Sequence, residues 1–145
     1  VLLWNELPTS NTEPSIVLGQ QSFDTNNSGE SITEMKWPVD VAAAGGKYVV
    51  ADTYNHRILI WNDIPQSNGS TPDLVLRSDE HGDTPFAEPS VAHFAWPWGV
   101  WTDGEKLIVT STSSGSSDGG IRFGGWVLIW NTFPTSSNQP ADGPR

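Results

Sequence analysis

The densest group of side chains that could do chemistry is the acidic segment SDEHGD at residues 78–83. Its carboxylates, Asp79, Glu80 and Asp83, are hard oxygen donors on a segment that contains glycine, and Ca²⁺ prefers ligands of this type. Their spacing differs from the EF-hand pattern, and an acidic loop in contact with solvent is the simpler interpretation. We therefore predict no cofactor and keep Ca²⁺ at these three residues as the alternative.

The tryptophans are the second group of candidate functional residues. The chain has 8 of them, and a flat indole can stack on the apolar face of a sugar ring. Most recur at equivalent positions of an internal repeat, which is typical of residues in a packed core. Trp98, Trp101 and Trp126 do not recur, and together with Arg122 they form the candidate ligand-binding set. Packing is the alternative role for these tryptophans.

Composition and charge narrow the classes of function. Lys and Arg total 7 and Asp and Glu total 17, so the net charge of −10 argues against nucleic acid and anionic membrane as partners. The chain has no Cys, and therefore neither a disulfide nor a thiolate nucleophile. Its 14 Gly and 11 Pro indicate a turn-rich β protein. The acidic, Cys-free and Trp-rich composition favours an extracellular or periplasmic location.

An internal repeat organises the chain. The segment VLLWN at 1–5 recurs as ILIWN at 58–62 and as VLIWN at 127–131. A second segment, WPVDV at 37–41, is matched in the same order by WPWGV at 96–100. Because the order of these segments is kept, we interpret them as copies of one structural unit.

The apolar runs of each unit predict strands rather than helices. They are short, rich in β-branched residues, and bounded by Gly, Pro, Asn or Asp. The complete unit predicts four strands, near residues 39–44, 47–52, 57–62 and 74–77. Gly45 with Gly46, and Asp103 with Gly104, predict two-residue hairpin turns between the first and second strands. Along the whole chain the pattern predicts nine strands in an all-β fold.

The turn between the second and third strands carries the most specific motif. It reads DTYNHR at residues 52–57 and follows the WPVDV entry of the same unit. In both features the chain resembles the NHL family of β-propellers, in which each repeat is a four-stranded antiparallel sheet called a blade. The resemblance implies that Asp52, Asn55, His56 and Arg57 hold the turn and the neighbouring blade together. NHL-like lyases use His and Arg around a metal at the ring centre, so a metal-dependent lyase or hydrolase is one alternative function.

The resemblance also implies how the chain is divided and assembled. It predicts a partial blade at 1–19, a blade at 37–77, and a blade at 96–131 followed by a tail at 132–145. Closed propellers have about 4–8 blades, so two blades either assemble with further copies or belong to a longer propeller. We expect a homo-oligomeric ring, most simply a trimer with roughly six blades.

The function expected from these features is a non-catalytic binding or scaffold module. Its expected partners are further copies of itself and a protein or carbohydrate ligand, with no nucleic acid and no membrane. Loops at 19–37 and 77–96, with the tips at 52–57 and 111–126, are expected to form the ligand-binding face. A carbohydrate-binding propeller that uses the non-repeated tryptophans is the second alternative.

Overall fold

The computed structural model of the protein describes residues 1–77, 95–115 and 122–144. Within these ranges the chain is all-β, with ten strands and one short 3₁₀ turn at Thr53–Asn55. The strands are β1 Leu2–Leu3, β2 Ile16–Val17, β3 Pro38–Ala44, β4 Lys47–Asp52, β5 Arg57–Trp61, β6 Leu74–Arg77, β7 Pro97–Thr102, β8 Leu107–Gly115, β9 Arg122–Trp130 and β10 Gly143–Pro144. In this part of the chain no helix is long and apolar enough to cross a membrane.

The strands form three antiparallel sheets that follow the sequence repeat. β1 and β2 pair as a two-stranded sheet, which we call the half-blade. β3 to β6 pair in chain order as the first blade, and β7 to β10 pair in chain order as the second blade. The predicted all-β class with four-stranded antiparallel blades is confirmed. In the first blade, the predicted strands agree with the observed ones to within one residue at each end.

The second blade has a fourth strand that the sequence analysis missed. β10 pairs with β9 through Gly143 opposite Ile129 and Pro144 opposite Leu128. The described residues therefore hold ten strands, where nine were predicted. Gly and Pro are depleted in strands, so this pair of residues carried no strand signal.

The tip predicted at 111–126 is partly strand. β8 continues to Gly115 and β9 begins at Arg122, with Thr112 opposite Gly125 in the register. The Ser and Gly residues of this segment suggested a loop, because both are weak strand formers. Pairing with the adjoining strand outweighs that preference and extends the hairpin.

The turn between β7 and β8 spans residues 103–106, rather than the predicted pair at 103–104. Asp103 Oδ1 accepts hydrogen bonds from the backbone N–H groups of Glu105 at 2.9 Å and Lys106 at 2.7 Å. These bonds lower the pKa of Asp103, that from Glu105 most. The carboxylate satisfies two N–H groups that have no ladder partner, and this supports the longer turn.

The first blade is covered on both faces. All five residues of β5 are buried, a pattern that a strand with one solvated face does not show. On one face, Ile58 and Ile60 share a core with Trp130 of the second blade. On the other face, Leu59 shares a core with Ile16 of the half-blade. The sheets therefore stack in the order half-blade, first blade, second blade.

Two glycines bring the first hairpin turns of the two blades into contact. Gly45 and Gly104 have φ angles of 56° and 93°, and a Cβ on Gly45 would lie 2.8 Å from the Gly104 Cα. Gly46 has a similar φ of 77°, but a Cβ there would meet nothing closer than 3.8 Å.

We expect Gly45→Ala to lower the free energy of unfolding by about 1–3 kcal/mol more than Gly46→Ala. Both substitutions place a side chain on left-handed backbone, but only Gly45→Ala adds a clash with the neighbouring blade. Urea unfolding of the two variants measures the difference. Equal losses would contradict a close contact between the turns.

Candidate functional site

Residues 52–57 form a compact turn between β4 and β5. Thr53–Asn55 is a single 3₁₀ turn, and His56 adopts a left-handed conformation with φ 51°. Asp52 and Arg57 lie opposite each other in the strand register, and the Arg57 Nε is 2.7 Å from the Asp52 Oδ2. The two side chains are 0% and 5% exposed, respectively, so the ion pair that closes the turn is buried.

The buried ion pair fixes the connection that precedes β3. Arg57 donates from its Nη1 and Nη2 to three backbone carbonyls within residues 30–34, at 2.9 to 3.0 Å. Asp52 Oδ1 accepts a hydrogen bond from the N–H of Lys36 at 2.7 Å, and Asn55 Nδ2 donates to Asp52 Oδ2 at 2.8 Å. Because these charged atoms bond to the protein's own backbone, the turn positions other segments.

The same turn contacts the second blade. Thr53 Oγ1 donates a hydrogen bond to the carbonyl of Pro97. His56 Nδ1 accepts a hydrogen bond from the N–H of Trp96 at 3.2 Å, and the centroids of the two rings are 5.4 Å apart. The four turn residues singled out in the sequence therefore lie together, and the segment joins the preceding connection to the next blade.

Thr53→Val is expected to lower the free energy of unfolding by about 0.5–1.5 kcal/mol, because it removes a hydrogen bond between the blades. Thr53 is 0% exposed, and valine has nearly the same shape, so the change isolates the hydroxyl. Thr53→Ser keeps the hydroxyl and serves as the control in urea unfolding. If Thr53→Val were no less stable than Thr53→Ser, this bond would contribute nothing to the stack.

A second group of candidate residues lines a cleft on the outer face of the second blade. The cleft, which we call the Trp98 cleft, has a volume of about 290 Å³, and Trp98, Thr112, Gly125 and Trp126 belong to its lining. Trp98 is 48% exposed, and its Nε1 donates to Thr112 Oγ1 at 3.0 Å. Nothing lies within 4 Å of the position that a Cβ on Gly125 would take. A fixed, flat indole beside an open glycine and threonine hydroxyls can hold a ring-shaped ligand.

The structure brings together Trp98 and Trp126 but not the other ligand candidates. Trp101 is 49% exposed and lies opposite Ile108, outside the cleft lining. Arg122 is the first residue of β9, and the position of its side chain lies outside the described part. The candidate set is therefore only partly assembled in one place.

The acidic segment lies outside the described residues, including Asp79, Glu80 and Asp83. Elsewhere, within 1–77, 95–115 and 122–144, no three His, Asp or Glu side chains are placed to hold a metal ion. Calcium binding at 79–83 stays a prediction.

Sequence reasoning placed Thr112 and Gly125 in the ligand-facing tip at 111–126 but did not single them out, because it interpreted that tip as a loop. The available signal was the glycine itself, since Gly inside a strand can mark a place where another group approaches closely. Only the register, which sets Gly125 opposite Thr112, puts this opening beside Trp98.

A further cavity of about 360 Å³ lies where the half-blade meets the first blade. Leu18, Met35 and Trp37 belong to its lining. Trp37 is 67% exposed and stacks on Tyr54, with ring centroids 5.4 Å apart. The cavity adjoins the two-stranded sheet, where a complete blade would have two more strands.

Comparison with known proteins agrees with this geometry. Residues 35–61, which include β3, β4, the turn and β5, match the family model of the NHL repeat. The comparisons with curated proteins and with solved structures found no match. Residues 35–61 are therefore similar to one NHL repeat, and the two four-stranded antiparallel sheets are consistent with β-propeller blades.

Proposed function

We propose that this chain is a non-catalytic binding and scaffold module whose blades complete a ring with further copies of the chain. The observation that supports this proposal is the state of equivalent apolar positions along the stack. Val49 and Ile60 are 0% exposed between the two blades. Their counterparts in the second blade, Ile108 and Ile129, are only half-buried, because no other sheet of the described residues covers that face. A sheet face that carries the apolar residues typical of a contact between blades is expected to pack against another sheet in solution.

A ring is the simplest way to cover such faces. The two exposed ends of the stack differ from each other, so contacts between copies are head-to-tail, and head-to-tail contacts close when the rotation permits. Each copy stacks three sheets, the half-blade and the two blades, so two copies supply roughly six sheets, within the range of about 4–8 blades in closed propellers. In such a ring the loops at one face are available to ligands.

Size-exclusion chromatography with light scattering tests the assembly over a range of protein concentrations. We expect twice the mass of one chain, and three times that mass would mean that the half-blade takes no place of its own in the ring. Because each copy carries a net charge of −10, added salt should favour assembly by screening repulsion. A single-chain mass at every concentration and salt level would contradict the ring.

Carbohydrate binding is a second candidate function, and the Trp98 cleft favours it. The exposed indole of Trp98 is held in one orientation by its bond to Thr112, and the hydroxyl beside it offers a polar contact. Stacking of a sugar ring on an oriented aromatic face is consistent with this arrangement.

Trp98→Ala is expected to weaken binding of a responsive sugar by at least about tenfold, the size typical of an aromatic anchor. Tryptophan fluorescence titrated with a panel of simple mono- and disaccharides measures the affinity. Trp37→Ala is the matched control, because Trp37 is also exposed but lies outside the cleft. No response to any sugar, or equal losses in the two variants, would count against this function.

A further inference from the structure

We propose that the half-blade of one copy packs on the open face of the second blade of another copy, with Leu2 and Trp4 covering Ile108, Val127 and Ile129. This inference rests on the proposed assembly and names the surfaces that form its junction. We call the partly exposed outer side of β8 and β9 the open face.

The internal contact between the two blades is the template for this junction. Leu128 and Trp130 of the second blade are each 1% exposed and share a core with Val49, Ile58 and Ile60 of the first blade. In this contact, a Leu and a Trp from the third strand of one blade pack against apolar residues on the facing side of the preceding blade.

Both halves of this contact recur at the ends of the stack, where no other sheet among the described residues packs on them. In the half-blade, Leu2 and Trp4 occupy the positions of Leu128 and Trp130 in the repeated segment, yet they are 48% and 39% exposed. On the open face, Ile108, Val127 and Ile129 occupy the positions of Val49, Ile58 and Ile60. The two exposed surfaces therefore have the side chains that fit each other inside the chain.

A pair of backbone hydrogen bonds also recurs at the internal contacts. The loop before the fourth strand donates Gly69 N–H to the Val17 carbonyl at 3.0 Å, between first blade and half-blade. The corresponding loop of the second blade donates Asn138 N–H to the Val75 carbonyl at 3.0 Å. Each of the two blades is thus hydrogen-bonded to the fourth strand of the sheet before it.

At the proposed junction the corresponding hydrogen bonding is weaker. Asn68 Oδ1 and Ser137 Oγ accept the N–H of the preceding fourth-strand valine, at 2.9 and 3.1 Å. Asn11 takes their position in the half-blade, but Pro144 takes the position of the valine. Proline has no N–H to donate. The junction therefore depends on apolar contact, and we expect it to form less tightly than the internal ones.

The junction covers one wall of the Trp98 cleft, because Val127 belongs to the cleft lining, and leaves the Trp98 side open. The half-blade has only two strands, and beside it Trp37 and Val41 of the first blade are 67% and 49% exposed. The half-blade of a second copy would likewise leave β7 uncovered, and Trp98 and Trp101 lie on that strand. Assembly therefore leaves the Trp98 side of the cleft open to a ligand.

Two charged substitutions, Trp4→Asp and Ile129→Asp, test the junction. Each places a charge in one half of the contact, so each variant alone is expected to lose the mass of the assembled natural chain and run as a single chain. Mixing them restores one intact junction, because the Ile129→Asp chain has an intact half-blade and the Trp4→Asp chain an intact open face. We therefore expect a mixed dimer of twice the chain mass, and no larger species.

Leu7→Asp is the control, because Leu7 is 90% exposed and lies outside both surfaces. It is expected to keep the mass of the assembled natural chain. A second measurement covers a variant that fails to fold: since the natural chain has no Cys, Leu2→Cys with Val127→Cys is expected to give disulfide-linked ladders under oxidation.

The outcomes separate the two proposals. If the natural chain assembles, and both charged variants assemble equally well, the ring stands and this junction is wrong. The same holds if the cysteine pair gives no cross-linked species in an assembled sample. If the natural chain is a single chain throughout, the ring and the junction fail together.

Discussion

Arg57→Met is expected to lower the free energy of unfolding by about 3–5 kcal/mol, the range measured when one partner of a buried ion pair is removed. The Asp52 carboxylate is 0% exposed, and it would lose the Arg57 guanidinium, whose Nε lies 2.7 Å from the Asp52 Oδ2. Three backbone carbonyls of the connection before β3 would also lose their donors. Domains of this size have about 5–15 kcal/mol of stability, so this one change threatens the fold. Urea unfolding followed by tryptophan fluorescence measures the loss.

Lys106→Met is the matched control for this experiment. Lys106 Nζ lies 3.9 Å from Asp103 Oδ2, and both side chains are well exposed. A surface pair of this kind contributes about 1 kcal/mol or less. If Arg57→Met cost no more than Lys106→Met, the turn would not hold the blade in the way described.

Trp130→Ala is expected to lower the free energy of unfolding by about 3–5 kcal/mol, because a large side chain leaves a cavity between the blades. Trp130 is 1% exposed, and its Nε1 donates to the carbonyl of Gln139 at 3.0 Å. The substitution therefore removes packing between blades and one partly buried hydrogen bond. Unfolding in urea, with circular dichroism as the signal, measures the change.

Trp4→Ala is the internal comparison, because Trp4 occupies the same position of the repeat. Its Nε1 likewise donates to a loop carbonyl, that of Thr12, at 3.0 Å, but its side chain is 39% exposed. In dilute protein, where single chains are measured, we expect a loss of about 1 kcal/mol or less. Similar losses for the two variants would mean that stacking of the second blade contributes little to stability.

The strands of the first blade could be predicted because the evidence for them is local. Short apolar runs rich in β-branched residues, a Gly-Gly turn and bounding prolines each act within a few residues of the chain. β10 could not be predicted in this way, because Gly143 and Pro144 have no strand preference of their own and pair only through the backbone of β9. The extension of β8 and β9 depends on the same kind of pairing.

The two candidate sites also differ in how far they could be predicted from the sequence. The Asp52 and Arg57 turn could be identified from spacing, because a six-residue motif brings its own ends together across two paired strands. The Trp98 cleft could not, because it requires Thr112 and Gly125 from neighbouring strands of an extended hairpin. Trp101 was grouped with Trp98 only because neither recurs in the repeat, but of these two residues Trp98 alone lines the cleft.

The amino-acid sequence by itself determined the repeat, the order of the strands in the first blade, the motif of its turn, and a strongly acidic surface. Only the tertiary structure decided which copies of a repeated residue are covered. Trp4, Trp61 and Trp130 lie in nearly identical sequence, yet they are 39%, 4% and 1% exposed. The physical reason is that a strand sets which face a side chain points to, whereas burial depends on whether another sheet packs on that face.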